Sequence, residues 1–301
     1  MTPGVIEGRR ILVLAPHPDD EIVACGIAAM RARAAGARLF VLYLTTGVPE
    51  RAALWPWHRR SYASRLTRRQ AEAREAAALL GLEPVAFGEI PSRALRHGLD
   101  AAAARVASAV ARCAADTLWV PAFEGGHQDH DAANAVAASF RHRLPVWEFA
   151  AYNFAGREVR PNRFAALRGG ETVIEASPEE AQLKRRSLAC YRSEGGNLAH
   201  VGSTHESARP LPAHDYGAPP HPGLLFRERF HWVPFRHPRI DFAPSARVYR
   251  AIGEWASSSP RPAIFRDGPG GEARQPHREL AGALDEAERE RRLSAEAGDR
   301  S

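Results

Sequence analysis

The chain has 301 residues, 45% hydrophobic and 25% charged, which is enough to bury a sizeable core as one large domain or one domain with a tail. No run approaches the roughly 18 apolar residues of a membrane span, and Met1 to Arg10 lack the apolar core of a signal peptide. The net charge of +6 raises nucleic acid or an anionic membrane surface as partners, but the arginines are spread widely and the run 65–74 is interleaved with Glu72, as on a solvated helix face.

Three scattered cysteines, Cys25, Cys113 and Cys190, show no CxxC spacing, so neither a disulfide framework nor a thiolate zinc site is expected. A reducing cytoplasm fits. The abundance of Ala and Arg suggests a GC-rich bacterial genome.

In chain order, Ile11 to Pro16 is a short apolar run rich in branched side chains and is expected to be a buried strand. His17-Pro18-Asp19-Asp20-Glu21 follows, and then Ile22, Val23, Ile27 and Met30 recur at helical spacing. The acidic cluster therefore sits where a strand hands over to a helix, the place where open α/β sheets bind ligands. One carboxylate would suffice to cap a helix. Two, preceded by His-Pro, point further, to metal binding: a neutral imidazole and a carboxylate are both good Zn²⁺ ligands. His17 and Asp20 lie three apart across a turn and can aim at one point, with Asp19 between them free to face a water.

Leu39 to Leu44 is the second expected strand, and strand–helix–strand implies a right-handed parallel unit. Residues 48–62, with Trp55, Pro56, Trp57 and His58, lack periodicity and are expected to be a loop near the site, its aromatics packing the loop or walling a pocket. Tyr62 to Leu80 is a helix pattern closed by Gly81. Within it Arg69 and Glu72 have the spacing of an i,i+3 surface ion pair. Pro84 to Phe87 is a brief strand, Leu99 to Ala114 an Ala-rich helix, and Thr117 to Val120 a strand.

After Pro121 comes a Gly-containing loop and then His127-Gln128-Asp129-His130, a second strand end where His and Asp meet. A catalytic zinc site keeps three protein ligands and one open position. His17, Asp20 and one of His127 or His130 make that set. Asp131 to Phe140 is expected to be a helix and Pro145 to Phe149 a strand, giving the order βαβαβαβαβ of a doubly wound parallel sheet. Thr172 to Glu175 is a further strand. Ser177 and Glu180 form a capping-box pattern ahead of a helix to Arg192.

Residues 195–242 are rich in Gly, Pro and His: His200, His205, His214, His221, His231 and His237. Their spacings match no finger pattern, so they are expected at the surface or on a pocket wall. After about Ala243 periodicity fades, and 257–260 has the composition of a linker. The expected organisation is one catalytic domain over 1–250 and a C-terminal extension over 251–301, partly disordered.

Taken together, His17-Pro18-Asp19-Asp20-Glu21 and His127-Gln128-Asp129-His130 resemble the paired motifs of the PIG-L/LmbE-like family of zinc-dependent N-deacetylases. The resemblance runs from about Arg10 to about Phe242. It includes an Arg-x-x-Glu like Arg69 and Glu72, and a late Tyr-x-Ser-Gln segment in which this chain has Glu194 at the Gln position. It implies a Rossmann-like, mainly parallel sheet with helices on both faces, followed by an irregular Gly/Pro/His-rich part. It also implies a ligand set of His17, Asp20 and His130, with Zn²⁺ as the metal, although these ligand types also admit Fe²⁺ or another divalent ion.

On the family pattern Asp19 is the general base. His127 stabilises the oxyanion and protonates the leaving amine, and Asp129 orients His127. The implied reaction is hydrolysis of an N-acetyl or other N-acyl group from a small-molecule amino sugar or glycoconjugate by metal-activated water. An amidase cleaving a larger acyl group from a thiol conjugate would use the same chemistry. A non-haem Fe(II) oxygenase could also use a His-x-Asp pattern with a distant His, and a basic binding module is the non-enzymatic alternative. The chain lacks GxGxxG, P-loop and GxSxG motifs, so no nucleotide or organic cofactor and no serine nucleophile is expected. Neither nucleic acid nor an integral membrane segment is expected.

Overall fold

The branched run at the start of the chain forms β1 (Arg10–Ala15), and β1 lies in the middle of a sheet. The structure is a computed structural model that describes residues 8–258. After β1 come α1 (Asp20–Val23), α2 (Gly26–Ala34), β2 (Arg38–Pro49), α3 (Tyr62–Leu80), β3 (Glu83–Ser92), α4 (Leu99–Cys113), β4 (Thr117–Pro121), α5 (Gln128–Ala138) and β5 (Val146–Phe149). A small hairpin of β6 (Tyr152–Asn153) and β7 (Arg160–Pro161) follows, then β8 (Thr172–Glu175), α6 (Pro178–Ala189), β9 (His205–Pro210) and α7 (Ser245–Ser258).

Seven strands make one sheet in the order β3-β2-β1-β4-β5-β9-β8. β1 to β5 pair in parallel; β9 runs antiparallel to both β5 and β8. The expected doubly wound, mainly parallel α/β sheet is therefore present.

Alternation along the strands divides the core. Leu12, Leu14, Leu42, Leu118 and Val120 pack on one face with residues of α4, α5 and α7. Ile11, Val13, Val41, Tyr43 and Trp119 pack on the other with residues of α1, α2 and α3. The strand order turns back at β1, whose neighbours are β2 and β4, so the carboxyl ends of β1 and β4 flank the topological switch point.

The expected elements differ from the observed ones at several points, each with a physical cause. The helix expected to run on from Ile22 is broken between α1 and α2. The carbonyl of Val23 accepts from Lys184 Nζ at 3.1 Å and Asn162 Nδ2 at 2.8 Å. The Glu206 carboxylate takes the N–H groups of Ile27 and Ala28 at 2.8 and 2.9 Å. Partners from far along the chain thus satisfy the backbone groups that a continuous helix would have paired internally.

Helix α5 begins at Gln128, three residues before the expected start, because His127 caps it through Nδ1, which accepts the Asp129 N–H at 3.1 Å. Within the Gly/Pro/His-rich stretch, His205–Pro210 is a strand. Past Ala243 the chain forms α7, with Val248, Tyr249 and Ile252 buried. This helix runs across residue 250. Of the expected extension, residues 259–301 lie outside the described residues.

Other expectations are met closely. Gly81 ends α3 in the left-handed region at φ 64°, and Ser177 with Glu180 forms the capping box of α6.

Candidate metal centre at the switch point

Two strand ends build the site. At the end of β1, the carbonyl of Pro16 accepts from both Thr45 N, at 3.0 Å, and Thr45 Oγ1, at 2.7 Å, which ties the turn to β2. The neighbouring Gly47 has φ +67°, and a Cβ there would come within 2.7 Å of Pro18 Cδ. Asp20 Oδ2 accepts the His17 N–H at 2.7 Å and lies 3.1 Å from His17 Nδ1. At the end of β4, Asp131 Oδ1 accepts the N–H groups of Glu124 and Gly125, each at 3.1 Å, and thereby shapes the loop before α5. The first turn of α5 then presents Asp129 and His130, with His127 at its cap.

Five of the six residues singled out from the sequence converge. Ligand atoms of His17, Asp20 and His130 lie within 4.8 Å of one another, as do those of His17, His127 and Asp129. Among the described residues these are the groups able to hold a metal, and none of the later histidines joins them. The ring centroids of His17 and His130 are 5.3 Å apart, and those of His17 and His127 4.4 Å.

The first set fits a cation. His130 Nε2 stands 3.0 Å from Asp20 Oδ1 without hydrogen-bond alignment, and both His130 ring nitrogens are buried with no hydrogen-bond partner. Such orphaned nitrogens cost stability unless something else binds them. His17 fits as well. Its Nδ1 side faces Asp20, and its Nε2 is hydrogen-bonded to Asp129 Oδ2 at 3.0 Å and lies 3.2 Å from Ser92 Oγ. A carboxylate on the far nitrogen is the usual brace of a metal-binding imidazole.

Electrostatics point the same way. Burial opposes charge on His17, but Asp20 and Asp129 outweigh it and push its pKa up to about 10. Asp20 is buried too, yet His130 and His17 hold it well below the usual carboxylate range. Asp129 sits at about 2, burial being outweighed by His17 and His127. Surroundings that hold a proton this firmly on His17 would also favour a divalent cation beside it, which needs the ring neutral.

Asp19 is set differently. Its φ is 152°, ψ −24°, an unusual conformation for a residue with a Cβ. Two clamps hold it. Glu21 Oε2 accepts the Asp19 N–H at 3.1 Å, and Glu21 in turn accepts from Tyr191 OH. Arg69 Nη2 donates to the Pro18 carbonyl and, at 3.1 Å, to Asp19 Oδ2. Burial, countered by Arg69, lifts the Asp19 carboxyl to about 7.

The surface ion pair expected of Arg69 and Glu72 is therefore not what forms. Both are buried, at 3% and 2% exposure. Arg69 serves Asp19 and lies 3.6 Å from Glu194, while Glu72 accepts from the N–H and hydroxyl of Ser193. Asp129, expected beside His127, lies 3.7 Å from His127 Nδ1 and bonds to His17. Its Oδ1 accepts the Leu95 N–H at 3.1 Å. Burial, with His17 next to it, holds the His127 imidazole well below its ordinary value.

Sequence reasoning missed Ser92, which follows no motif and reaches His17 only because β3 is longer than its apolar run. It also missed Tyr152, whose ring meets His130 at 5.3 Å. A Cβ on Gly126 would come within 2.3 Å of the Tyr152 carbonyl, so the loop must be glycine there.

Known proteins share this fold. The chain is similar to the A40926 pseudoaglycone deacetylase Dbv21, at 20% identity and TM-score 0.55, over 69% of this chain and 100% of that one. It is similar to the zinc-inhibited form of the teicoplanin deacetylase Orf2, at 18% identity and TM-score 0.52, over 67% and 97%. It is also similar to a deacetylase–teicoplanin complex, at 17% identity and TM-score 0.51, over 67% and 97%. At these identities the likeness is one of fold. No curated protein sequence matches the chain. The PIG-L family model, described as GlcNAc-PI de-N-acetylase, matches residues 12–140. That stretch is similar to the PIG-L family and holds both strand ends.

Proposed function

We propose that the chain is a metal-dependent hydrolase that removes an N-acetyl or other N-acyl group from an amino sugar or glycoconjugate. The observation that carries this reading is the buried His130 ring, without a hydrogen-bond partner and with Nε2 3.0 Å from Asp20 Oδ1, beside the clamped carboxylate of Asp19. The de-N-acetylase description of the family supports an acetamide as the scissile group. His17, Asp20 and His130 would hold the ion, Zn²⁺ or another divalent metal. When bound, it supplies Lewis-acid polarisation and lowers the pKa of water.

The protein's own groups do the rest. Asp19 takes a proton from the attacking water; a carboxyl lifted to about 7 is a base matched to neutral pH. Arg69 and Glu21 keep that carboxylate from turning away. The water oxygen bonds to the acyl carbon and the C–N bond breaks, so the departing nitrogen needs a proton. The proton that Asp19 has taken from the water supplies it. His127, whose Nδ1 accepts the Asp129 N–H and whose pKa is held low, is a neutral imidazole that offers its Nε2–H as a hydrogen bond to the developing oxyanion. Asp129 braces His17 and balances charge beside His127. Cys25, Cys113 and Cys190 are free and buried, and no helix of the described residues is long and apolar enough to cross a membrane; a cytoplasmic location is part of the proposal.

The test is amine release from a panel of N-acetyl amino sugars, glycoconjugates and thiol conjugates, with protein stripped of metal and then reconstituted. Release that requires metal and favours an N-acetyl sugar is expected. Full activity of the stripped protein, or no release from any amide, would refute the reading.

A further inference from the structure

Exposed aromatic side chains are concentrated on this molecule. Among the described residues the exposed Trp and Phe side chains are Trp57, Phe230, Trp232 and Phe235. Trp57 is 67% and Trp232 75% exposed. They fall in two segments only, 50–61 after β2 and 224–240 in the Gly/Pro/His-rich stretch. The segments touch. Trp57 stacks on Trp55 with centroids 5.2 Å apart, Trp55 meets His237 edge-on at 5.7 Å, and His237 meets Phe235 at 6.1 Å.

Charge is concentrated in the same place. The two segments hold seven arginines and two glutamates, in a chain whose net charge is +6. Arg227 is buried and paired with Asp241 and Glu228. Arg51, Arg59, Arg60, Arg236 and Arg239 are exposed, and among the described residues none of them has a carboxylate within ion-pair distance. Arg51 and Arg59 donate only to backbone carbonyls, which leaves their charge uncompensated.

This surface adjoins the candidate centre. Pro49, where β2 ends before segment 50–61, pairs with Ser92, and Ser92 lies 3.2 Å from His17 Nε2. Arg93 reaches the Ile240 carbonyl at 3.2 Å.

We propose that this face docks on an anionic lipid bilayer, with Trp57, Trp232 and Phe235 at the headgroup level and the five unpaired arginines against lipid phosphates. Indole and phenyl rings next to charged groups are at home where one end is apolar and the other wet. A guanidinium matches phosphate geometry, and its apolar stem tolerates burial at the interface. Single-stranded nucleic acid would also take aromatics and arginines, but it asks for a basic groove that tracks a backbone. Here the arginines are interleaved with protruding apolar tips that include Leu224, 41% exposed. The proposal is independent of the reaction assigned above.

The experiment uses the full chain and vesicles of phosphatidylcholine alone or with one-third phosphatidylglycerol, read by co-sedimentation and by tryptophan emission. Binding to the anionic vesicles with a blue shift is expected, weakened by salt, and little binding to phosphatidylcholine alone. Each arginine near an anionic surface is worth about fivefold, so the Arg236→Ala/Arg239→Ala protein should bind about 25-fold more weakly. The Trp57→Ala/Trp232→Ala protein should bind at least tenfold more weakly and lose the blue shift. Circular dichroism should show both variants folded, since all four positions are exposed. No binding to anionic vesicles, equal binding to both vesicle types, or unchanged binding by the aromatic variant would overturn the proposal. So would tighter binding to a single-stranded oligonucleotide than to the anionic vesicles.

Discussion

The two strand ends that meet at the site are held in different ways. The turn after β1 is irregular: Asp19 is forced into an unusual backbone conformation, and residues from α3 and beyond α6 restrain it. The end of β4 runs into a regular helix, and His127, Asp129 and His130 take their places from the geometry of its first turn. The backbone at the first end therefore depends on distant side chains, whereas the backbone at the second is set by its own helical turn, with Asp129 braced further by His17 and the N–H groups of Arg93 and Leu95. Loss of Arg69 or Tyr191 should disturb the first end and leave the helical turn of the second in place.

The largest effect should come where both ends would contribute to the proposed ion. His130→Ala removes a proposed ligand from the regular end and should abolish metal binding and turnover together, as metal analysis and amine release would show. Retention of stoichiometric metal by that protein would break the assignment. Asp19→Asn alters the irregular end without removing a ligand. It should keep the metal and lose about 10²–10⁴-fold in kcat, the usual worth of a general base. Near-normal turnover would remove Asp19 from that role.

Arg69→Lys sharpens the comparison. A lysine cannot reach both the Pro18 carbonyl and Asp19 in one planar grip, so kcat should fall roughly tenfold to a hundredfold with metal content unchanged. An equal loss of metal would mean that Arg69 supports the whole turn rather than Asp19. Ser92→Ala removes one partner of His17 while Asp129 remains. It should lower metal affinity tenfold at most, as competition with a chelator would measure. For the fold itself, Lys184→Met strands the buried Glu206 carboxylate and should cost about 3–5 kcal/mol of stability, read in a denaturant melt.

The sequence made legible what repeats a local rule. Apolar runs marked the parallel strands, Gly81 and Ser177 marked helix ends, and the two His/Asp motifs marked the site. What escaped notice is held by long-range charge. The residues of β9, His-Glu-Ser-Ala-Arg-Pro, show no apolar alternation, yet Glu206 and Arg209 are buried because Lys184 and Glu148 pair with them at 2.7 Å each. Arg69 and Glu72 have the spacing of a solvated pair, and only the approach of the β1 turn and of Ser193 makes them interior groups. In α7 a signal was present: Val248, Tyr249, Ile252 and Trp255 lie on one stripe, but the aperiodic stretch before it masked the start.

Glu206 ties β9 to α2 and so bears on the order of assembly. One carboxylate near residue 200 seats the helix that begins at Gly26, and its lysine partner holds the carbonyl that closes α1. The turn bearing Asp19 and Asp20 is thus finished only when the last strand of the sheet has docked, a contact of very high sequence separation and slow to form. An excised fragment of residues 12–140 would carry every proposed ligand and still lack Lys184, Tyr191 and Glu206. It would be a set of correct letters without the binding that keeps the page flat.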